Sequence, residues 1–268
     1  MTRRGVSRAA LGLGALALSG CNRDREADPL DSNGYAVTAQ FYDIMAEPYW
    51  EASLGPATAR AFAGLDVNDG WVLDIGAGTG LSTAAVLRIL PNARVMAIEP
   101  DPAMRAALMT RVVADDRMRR QVSIIPAGLF EADIPDRFDA VSMISTLHHF
   151  VPADRRRFWQ LLSDRLSPVG RAVIEIQLPT NERIPPTRMQ RAQIGDVEYE
   201  GWMEASPIAE AIQRWRMRYR ASRDGRVLSD LSTSFDMHVI DFATVEREAT
   251  ASGLRARQQQ DFALIEQG

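Results

Sequence analysis

The sequence predicts an α/β fold: a doubly wound, mostly parallel sheet of seven strands with helices on both faces, and an antiparallel β insertion before the last helix. Between residues 71 and 178, short runs rich in Val and Ile alternate with stretches of helical character. Strands that alternate with helices of this length form parallel sheets. Most of the runs are almost continuously apolar, as strands buried on both faces are. The 268 residues suit one such domain with an insertion.

Five strands and three helices are predicted for this alternating region. Asp101 suits the N-cap of the second helix, and Pro102 suits its first position, where the N–H that proline lacks would have no helical partner. The predicted strands are Trp71 to Ile75, Arg94 to Glu99, Gln121 to Pro126, Ala140 to Ser145 and Arg171 to Leu178. The predicted helices are Leu81 to Leu90, Pro102 to Val113 and Asp154 to Leu166.

The pattern changes after Leu178, where an insertion is predicted over residues 179–240. The stretch IPPTRMQ, residues 184–190, cannot continue a helix or a central strand because its prolines lack an N–H donor. Apolar and charged residues then alternate on both sides of Asp224-Gly225, which is a two-residue hairpin signal. The sequence therefore predicts an antiparallel β unit over about 195–240.

The end of the chain returns to the helix and strand pattern. Phe242 to Ser252 is predicted as a helix, with Gly253 as its C-cap. Two final strands, Arg255 to Asp261 and Ala263 to Glu266, complete the seven-stranded sheet.

Composition excludes several classes of function. The net charge of −4 and pI near 5.5 argue against a nucleic-acid partner, because affinity for phosphate backbones needs concentrated positive charge. Cys21 is the only cysteine, which excludes an internal disulfide and a cysteine zinc cluster. With three histidines in the chain, we predict no metal site.

The first 21 residues have the layout of a secretory signal. Three arginines precede an apolar run from Ala9 to Leu18, and the small residues Ser19-Gly20-Cys21 follow it. Residues 2–6 resemble a twin-arginine export signal, and Leu-Ser-Gly-Cys resembles a bacterial lipobox that would carry a lipid anchor on Cys21. The alternatives are a misassigned upstream start or an amphipathic helix that stays on the protein. Residues 22–36 are predicted to be a linker before a main domain at residues 37–268.

A glycine-rich turn lies between the first predicted strand and the helix after it. The stretch VLDIGAGTG, residues 72–80, places three glycines where a tight turn and close approach of the backbone to a ligand need them. Glu99 ends the next strand, where a carboxylate can accept hydrogen bonds from both hydroxyls of a ribose. The alternative is that the glycines only tighten the turn and Glu99 is a solvated cap.

These two stretches, VLDIGAGTG and VMAIEP, resemble the class I S-adenosylmethionine-dependent methyltransferases, whose fold is Rossmann-like. The resemblance covers about residues 38–178 and 241–266. It implies that S-adenosylmethionine is the cofactor and that Glu99 holds its ribose. It places Pro100 and Met104 near the adenine. The residues that it implies around the methionine moiety are Asp74, Gly76, Ala77, Gly78 and Gly80.

The third strand departs from the family pattern. Family members often have Gly-Asp or Asp-Ala after this strand, and the acid reaches the adenine amine, whereas this chain has Pro126-Ala127-Gly128-Leu129. We expect backbone groups of Gly128 and Leu129 to hold the adenine instead, so the departure bears on affinity for the cofactor.

The loop after the fourth strand is the predicted place of the chemistry, because ligands of doubly wound sheets bind beyond the carboxyl ends of the strands. Ser145 is predicted to contact the cofactor. His148 and His149 resemble the Leu-His-His loop of many small-molecule methyltransferases, and either is a candidate base, since an unperturbed histidine titrates near about pH 6.5. The alternative is that one histidine caps the turn and the other packs in the cleft.

The acceptor side is predicted from aromatic residues and from position in the chain. Residues 37–70 resemble the N-terminal lid helices of the family, and Tyr42 in that lid is a third catalytic candidate, although an aromatic of a short amphipathic helix can also be core. Tyr49, Trp50 and Trp202 are candidates for an acceptor pocket or for simple packing. Arg214, Arg216, Arg218 and Arg220 share one strand face, which either attracts an anionic acceptor or is a solvated edge.

The sequence thus predicts methyl transfer from S-adenosylmethionine to a small molecule at an oxygen, nitrogen or carbon atom. A non-catalytic S-adenosylmethionine-binding or scaffold protein is the first alternative. A nicotinamide oxidoreductase is the second, and the spacing of the glycines counts against it. The predicted location is a membrane-anchored lipoprotein, with the cytoplasm as the alternative, because the cofactor is made there.

Overall fold

A computed structural model describes residues 34–177 and 181–268. The predicted signal segment 1–21, with its anchor at Cys21, and all of the predicted linker 22–36 except its last three residues lie outside these residues. Among the described residues, no helix has both the length and the apolar character needed to cross a membrane.

The main sheet has seven strands in the order β10-β11-β5-β4-β1-β2-β3. The first five strands of this sheet along the chain are parallel to one another, whereas β11 runs antiparallel to both of its neighbours, β5 and β10. The strand order reverses between β1 and β4, which is where doubly wound folds bind their ligands. The strands are Trp71–Ile75 (β1), Arg94–Ile98 (β2), Val122–Ile125 (β3), Phe138–Met143 (β4), Leu166–Glu175 (β5), Leu254–Gln259 (β10) and Phe262–Gln267 (β11).

Helices cover both faces of this sheet. Their N-termini follow the capping rules: the side chain of Asp101 accepts hydrogen bonds from two amides of α5, and that of Asp241 accepts one from α8. A π-helical turn, Trp50–Leu54, joins α2 to α3. The helices are Gly34–Thr38 (α1), Tyr42–Tyr49 (α2), Gly55–Ala61 (α3), Leu81–Ile89 (α4), Pro102–Ala114 (α5), Asp116–Gln121 (α6), Pro152–Arg165 (α7) and Phe242–Ala251 (α8).

Between β5 and α8 the chain forms a second, four-stranded antiparallel sheet in the order β6-β7-β8-β9. Its strands are Ile184–Ile194 (β6), Val197–Ala209 (β7), Ile212–Arg223 (β8) and Arg226–His238 (β9). The predicted arginine row lies on one face of β8 and pairs with acids of the neighbouring strands: Arg214 with Asp236, Arg216 with Glu204, and Arg218 and Arg220 with Asp230. These pairs favour the solvated-face interpretation of the row.

Three apolar clusters hold these layers together. One fills the sheet face under α3, α4 and α5, and the second fills the opposite face under α7 and α8. The third joins the N-terminal helices to the second sheet, because Phe41 stacks on Tyr219 with ring centroids 4.9 Å apart. The second sheet is therefore packed against the segment that was predicted to be a lid.

The predicted fold class is confirmed, with local corrections. The stretch at 184–190 is the first part of an edge strand, β6, so the antiparallel unit begins at Ile184 and not near 195. Both of its prolines lie where the pairing register of β6 shifts, and an irregular edge strand is where proline is tolerated. The predicted fourth strand ends at Met143, which leaves Ser145 in the loop. Helix α6 was not predicted.

Candidate active site

Many of the predicted site residues lie at the carboxyl ends of β1, β2 and β4, and the unpredicted Glu175 lies at the end of β5. The glycine turn follows β1, Glu99 follows β2, the histidine loop follows β4, and Glu175 is the last residue of β5. Parallel strands bring these ends to one edge of the sheet, at the point where the strand order reverses.

The three glycines of the turn have left-handed backbone conformations, with φ of 70° at Gly76, 56° at Gly78 and 90° at Gly80. A Cβ on Gly76 would lie 2.2 Å from the Thr146 hydroxyl oxygen, so this glycine lets the β4 loop approach. A Cβ on Gly78 would meet only the Gly76 carbonyl oxygen, at 4.0 Å. The turn is therefore closed by its neighbours at Gly76 and open above Gly78.

Backbone amides fix the turn to β2. Gly76 and Ala77 both donate to the carbonyl oxygen of Ile98, at 2.9 and 3.1 Å. The Gly78 amide donates to Oε2 of Glu99 at 2.8 Å, and the Asp101 amide donates to Oε1 at 2.8 Å. Glu99 thus connects the glycine turn to the start of α5.

Burial raises the pKa of Glu99, and its two backbone hydrogen bonds act in the opposite direction. A carboxylate has about four acceptor positions, and two are used here. Glu99 therefore keeps the capacity to accept the two hydroxyls of a ribose. This is the role that was predicted for it, and it stays a prediction.

Asp74 lies beneath the turn and is fully buried. Its Oδ2 accepts hydrogen bonds from the hydroxyls of Ser82, at 2.8 Å, and Thr83, at 2.5 Å, both in the first turn of α4. Burial raises its pKa to about 6. The structure thus gives Asp74 a support role at the start of α4, and its predicted contact with the methionine moiety stays a prediction.

Helix α2 is attached to the glycine turn through Asp43. One oxygen of Asp43 accepts a hydrogen bond from the Thr79 hydroxyl at 2.5 Å, and the other pairs with Arg111 at 2.7 Å. Arg111 also donates to the Thr79 carbonyl oxygen at 2.9 Å. This three-residue latch, Asp43 with Thr79 and Arg111, holds the N-terminal helix over the loop between β1 and α4.

Tyr42, the residue before the latch, packs against the first apolar cluster and has no hydrogen-bond partner among the described residues. Burial is the main cause that raises the pKa of its phenol, and the charges of Glu175 and Glu99 also contribute. The Tyr42 hydroxyl therefore stays protonated at neutral pH. Its predicted catalytic role stays a prediction.

Ser145 begins the β4 loop in a left-handed conformation, with φ of 52°. Its amide and its hydroxyl both donate to Oε2 of Glu175 at 2.8 Å, and Gln177 donates to the Ser145 hydroxyl at 3.0 Å. A non-glycine residue rarely adopts this conformation without support. Glu175 therefore holds the loop that carries the two histidines.

The two histidines lie side by side, with ring centroids 4.2 Å apart. His148 is 3% exposed, and its Nε2 has no partner, whereas Nε2 of His149 hydrogen-bonds to the Tyr35 hydroxyl at 2.6 Å. Burial lowers the pKa of His148 well below its usual value and that of His149 to about 4, and His238 adds to both effects. Both rings are neutral at pH 7, and their lowered pKa values weaken them as bases.

Two aromatic residues, one from α1 and one from β9, cover His149. Tyr35 of α1 stacks on Phe235 of β9 with centroids 5.6 Å apart, and both rings contact the imidazole edge to face. The α1 helix and the second sheet thus meet over the histidine loop. A molecule bound beside His149 would be enclosed by this group.

The residues predicted near the adenine lie on the other side of Glu99. The carbonyl oxygen of Pro100 accepts a hydrogen bond from Arg105. Met104 is buried, with 2% of its surface exposed. Leu129 is buried in the second apolar cluster, and a Cβ on Gly128 would meet the Glu131 carboxylate. Their contacts with adenine stay predictions.

Two of the three aromatic residues predicted for an acceptor pocket lie elsewhere. Trp50 is buried in the first apolar cluster, which favours its packing role. Trp202 pairs with Arg218 across the strands and lies near its guanidinium and that of Arg220, so it is on the arginine face. Tyr49 is exposed on α2.

The sequence interpretation missed two residues that the structure brings into the site. Tyr35 precedes the predicted catalytic segment and reaches His149 over 114 positions. Glu175 could have been found, because it is the acid that follows three apolar residues of β5, as Glu99 follows the four apolar residues of β2. No group of described residues has the arrangement of a metal site.

Comparison with known sequences identifies a methyltransferase region in the chain. The model of a family described as "Methyltransferase domain" matches residues 73–172, which include the glycine turn, Glu99 and the histidine loop. An uncharacterised protein of Synechococcus is 31% identical over 103 residues, which are 37% of this chain and 23% of that protein. The chain thus matches about a quarter of the length of this curated relative.

Solved structures that share this fold include several that are named as methyltransferases. DesVI of Streptomyces venezuelae superposes with a TM-score of 0.70 at 13% identity, over 87% of this chain and 98% of DesVI. The sugar N-methyltransferase KedS8 of Streptoalloteichus has a TM-score of 0.67 at 18% identity, over 97% and 99%. CalS10 of Micromonospora echinaspora, an amino pentose methyltransferase, superposes with a TM-score of 0.63 at 16% identity. The match covers 79% of this chain and 88% of CalS10. This chain therefore has the fold of the class I S-adenosylmethionine-dependent methyltransferases, and residues 73–172 carry the sequence pattern of a methyltransferase domain.

Proposed function

We propose that this protein transfers a methyl group from S-adenosylmethionine to a small-molecule acceptor. The observation that carries the proposal is the turn at Gly78. Its backbone is left-handed, the position of its missing Cβ is open, and its amide is bound to the carboxylate that ends β2. A nucleoside-bearing ligand needs these three features together: an approachable backbone, space and an acid for the ribose.

The residues present fit S-adenosylmethionine. A side chain at Gly78 would fill the cradle, and two acceptor positions of Glu99 are unused. Glu99 would hold the ribose and the turn from Gly76 to Gly80 would surround the amino acid end. When bound, the cofactor supplies a methyl group on a positively charged sulfur.

The chain itself contributes enclosure and orientation. The latch at Asp43 holds α2 over the turn, and the group of Tyr35, Phe235 and His149 encloses the β4 loop. Exclusion of water and alignment of the acceptor account for most of the rate in a displacement of this kind. His149 can accept a hydrogen bond but is a weak base, because its pKa is lowered to about 4.

Two observations support a small molecule as the acceptor. The site is covered by α1, α2 and the second sheet, and this cover restricts the approach of a folded protein surface. In addition, two of the structures with this fold are named for sugar or amino pentose acceptors. We therefore place the acceptor between the β4 loop and the second sheet.

The proposal is tested in two steps with purified protein. Calorimetry measures binding of S-adenosylmethionine, and cofactor with a tritiated methyl group is then incubated with a metabolite extract of the source cells. We expect binding and a labelled small-molecule product. Binding without any labelled product would favour a non-catalytic binding protein, and no binding would refute both readings.

We further propose that residues 1–21 direct export and that Cys21 carries a lipid anchor. The support is the order of arginines, apolar run and Leu-Ser-Gly-Cys, with the only cysteine at the lipobox position. Fractionation of cells that express the wild type and Cys21→Ala tests it. We expect the wild type in the membrane fraction and the variant released from it. Wild-type protein found wholly in the cytoplasm would refute the anchor.

A further inference from the structure

We propose that Glu175 binds the amino group of the acceptor and that the acceptor is a primary or secondary amine. This inference rests on the proposed methyl transfer and names the chemical class of its substrate. It assigns to the end of β5 a specificity-determining carboxylate beside the histidine loop.

The first argument is the unequal use of the two oxygens of Glu175. Oε2 accepts both hydrogen bonds from Ser145, whereas Oε1 has no partner among the described residues. The residue is 5% exposed, and Oε1 is not among the unpartnered polar atoms that are sealed from solvent, as Nε2 of His148 is. Oε1 is therefore an accessible acceptor on an otherwise buried side chain.

The second argument is charge. Among the described residues, Glu175 forms no ion pair with an arginine, and the charge of Asp261 acts on it in the same direction as burial, raising its pKa. A buried carboxylate without a counter-ion is costly, and a cation that enters the site lowers that cost. A hydroxyl would offer Oε1 only a hydrogen bond, whereas a protonated amine offers a hydrogen bond and the missing positive charge.

The third argument is position. Glu175 holds Ser145, and the next residue, Thr146, contacts the glycine turn at Gly76. Glu175 thus supports the loop that contacts the cofactor cradle at one end and carries the histidines at the other, beside the proposed place of the acceptor.

The chemistry requires one proton transfer before methylation. The bound ammonium gives one proton to the Glu175 carboxylate, so that an N–H bond breaks, an O–H bond forms, and the nitrogen regains its lone pair. Burial raises the pKa of Glu175 and so favours this transfer.

The test uses tritiated S-adenosylmethionine and two halves of one metabolite extract of the source cells. Acetic anhydride converts the primary and secondary amines of one half into amides, and hydroxylamine then removes the acetyl esters that phenols and alcohols form. We expect wild-type protein to label the untreated half. Labelling of the acetylated half is expected to be lower by about tenfold or more. Labelling that survives acetylation would overturn the inference, and this arm needs no variant.

Glu175→Gln provides the second arm. The glutamine oxygen can still accept from Ser145, so the loop stays supported, but the charge is lost. We expect unchanged affinity for S-adenosylmethionine by calorimetry and a melting temperature within a few degrees of the wild type. Methyl transfer is expected to fall by about tenfold or more. The matched control is Glu266→Gln, because Glu266 binds Arg171 and Arg255 outside the site. It is expected to retain transfer.

The outcomes separate this inference from the proposed function. Loss of cofactor binding in Glu175→Gln would overturn the inference, because the carboxylate would then serve the cofactor and not the acceptor. Wild-type protein that binds the cofactor but labels neither half would refute the proposed function, and the inference would fall with it.

Discussion

Replacing Gly78 with arginine is expected to weaken the binding of S-adenosylmethionine by about 100-fold or more. The side chain would project into the open space above the turn, where the cradle is predicted to receive the cofactor. It would also force a residue with a Cβ into a φ of 56°, which few such residues adopt. A 100-fold loss of affinity corresponds to about 2.8 kcal/mol of binding free energy. One misplaced side chain in a binding site readily causes a loss of this size. Calorimetry with both proteins measures it.

The matched control is Gly195→Arg. Gly195 has a φ of 60°, nothing lies within 4 Å of its added Cβ, and it is in the hairpin between β6 and β7. It imposes the same backbone strain away from the glycine turn, and we expect unchanged affinity. Equal affinity of Gly78→Arg and wild type would show that the cofactor does not use this turn.

His149 is expected to make the folded state sensitive to acid. Its pKa is lowered to about 4 by burial and by His238, whereas an unfolded histidine titrates near about 6.5. Below pH 6.5 the unfolded state therefore binds the proton more readily, and the stability that neutral His149 preserves is lost as the pH falls towards 4. For these two values the loss between pH 7 and pH 5 is about 2 kcal/mol.

The raised pKa values of Asp74, Glu99 and Glu175 act in the opposite direction, because their folded forms bind protons more readily than their unfolded forms. The contribution of His149 is therefore measured as the difference in unfolding free energy between the wild type and a variant without this imidazole. Urea unfolding of the wild type and of His149→Gln, which can still hydrogen-bond to Tyr35, is compared at pH 7 and pH 5. We expect the wild type to lose about 2 kcal/mol more than the variant over this interval. A difference that stays constant would mean that the buried ring accepts a proton freely.

The fold was predictable because its signals are local. Apolar runs define β1 and β2 to within one residue, Asp101 and Pro102 define the start of α5, and the glycine spacing defines the turn. Each of these depends on residues close together in the chain. The antiparallel insertion was recognised for the same reason, from alternation and from the Asp224-Gly225 turn.

The composition of the site was less predictable because it depends on contacts that are distant in the chain. Tyr35 meets His149 only because α1 and β9 converge over the β4 loop. Similarly, the lowered pKa of both histidines follows from burial that no short pattern reveals. Trp202 shows the converse, since a tryptophan placed in the insertion points by strand alternation to the arginine face.

The two faces of the second sheet also determine how its strands can pair. Aromatic and Met side chains of β8 face the N-terminal helices, and the arginines between them pair with Asp230, Asp236 and Glu204 on the opposite face. A shift of β8 by one residue would put guanidinium groups into the apolar cluster and would separate every one of these charges from its partner. Apolar packing and charge thus exclude the same misalignment, so β8 has a single register between β7 and β9.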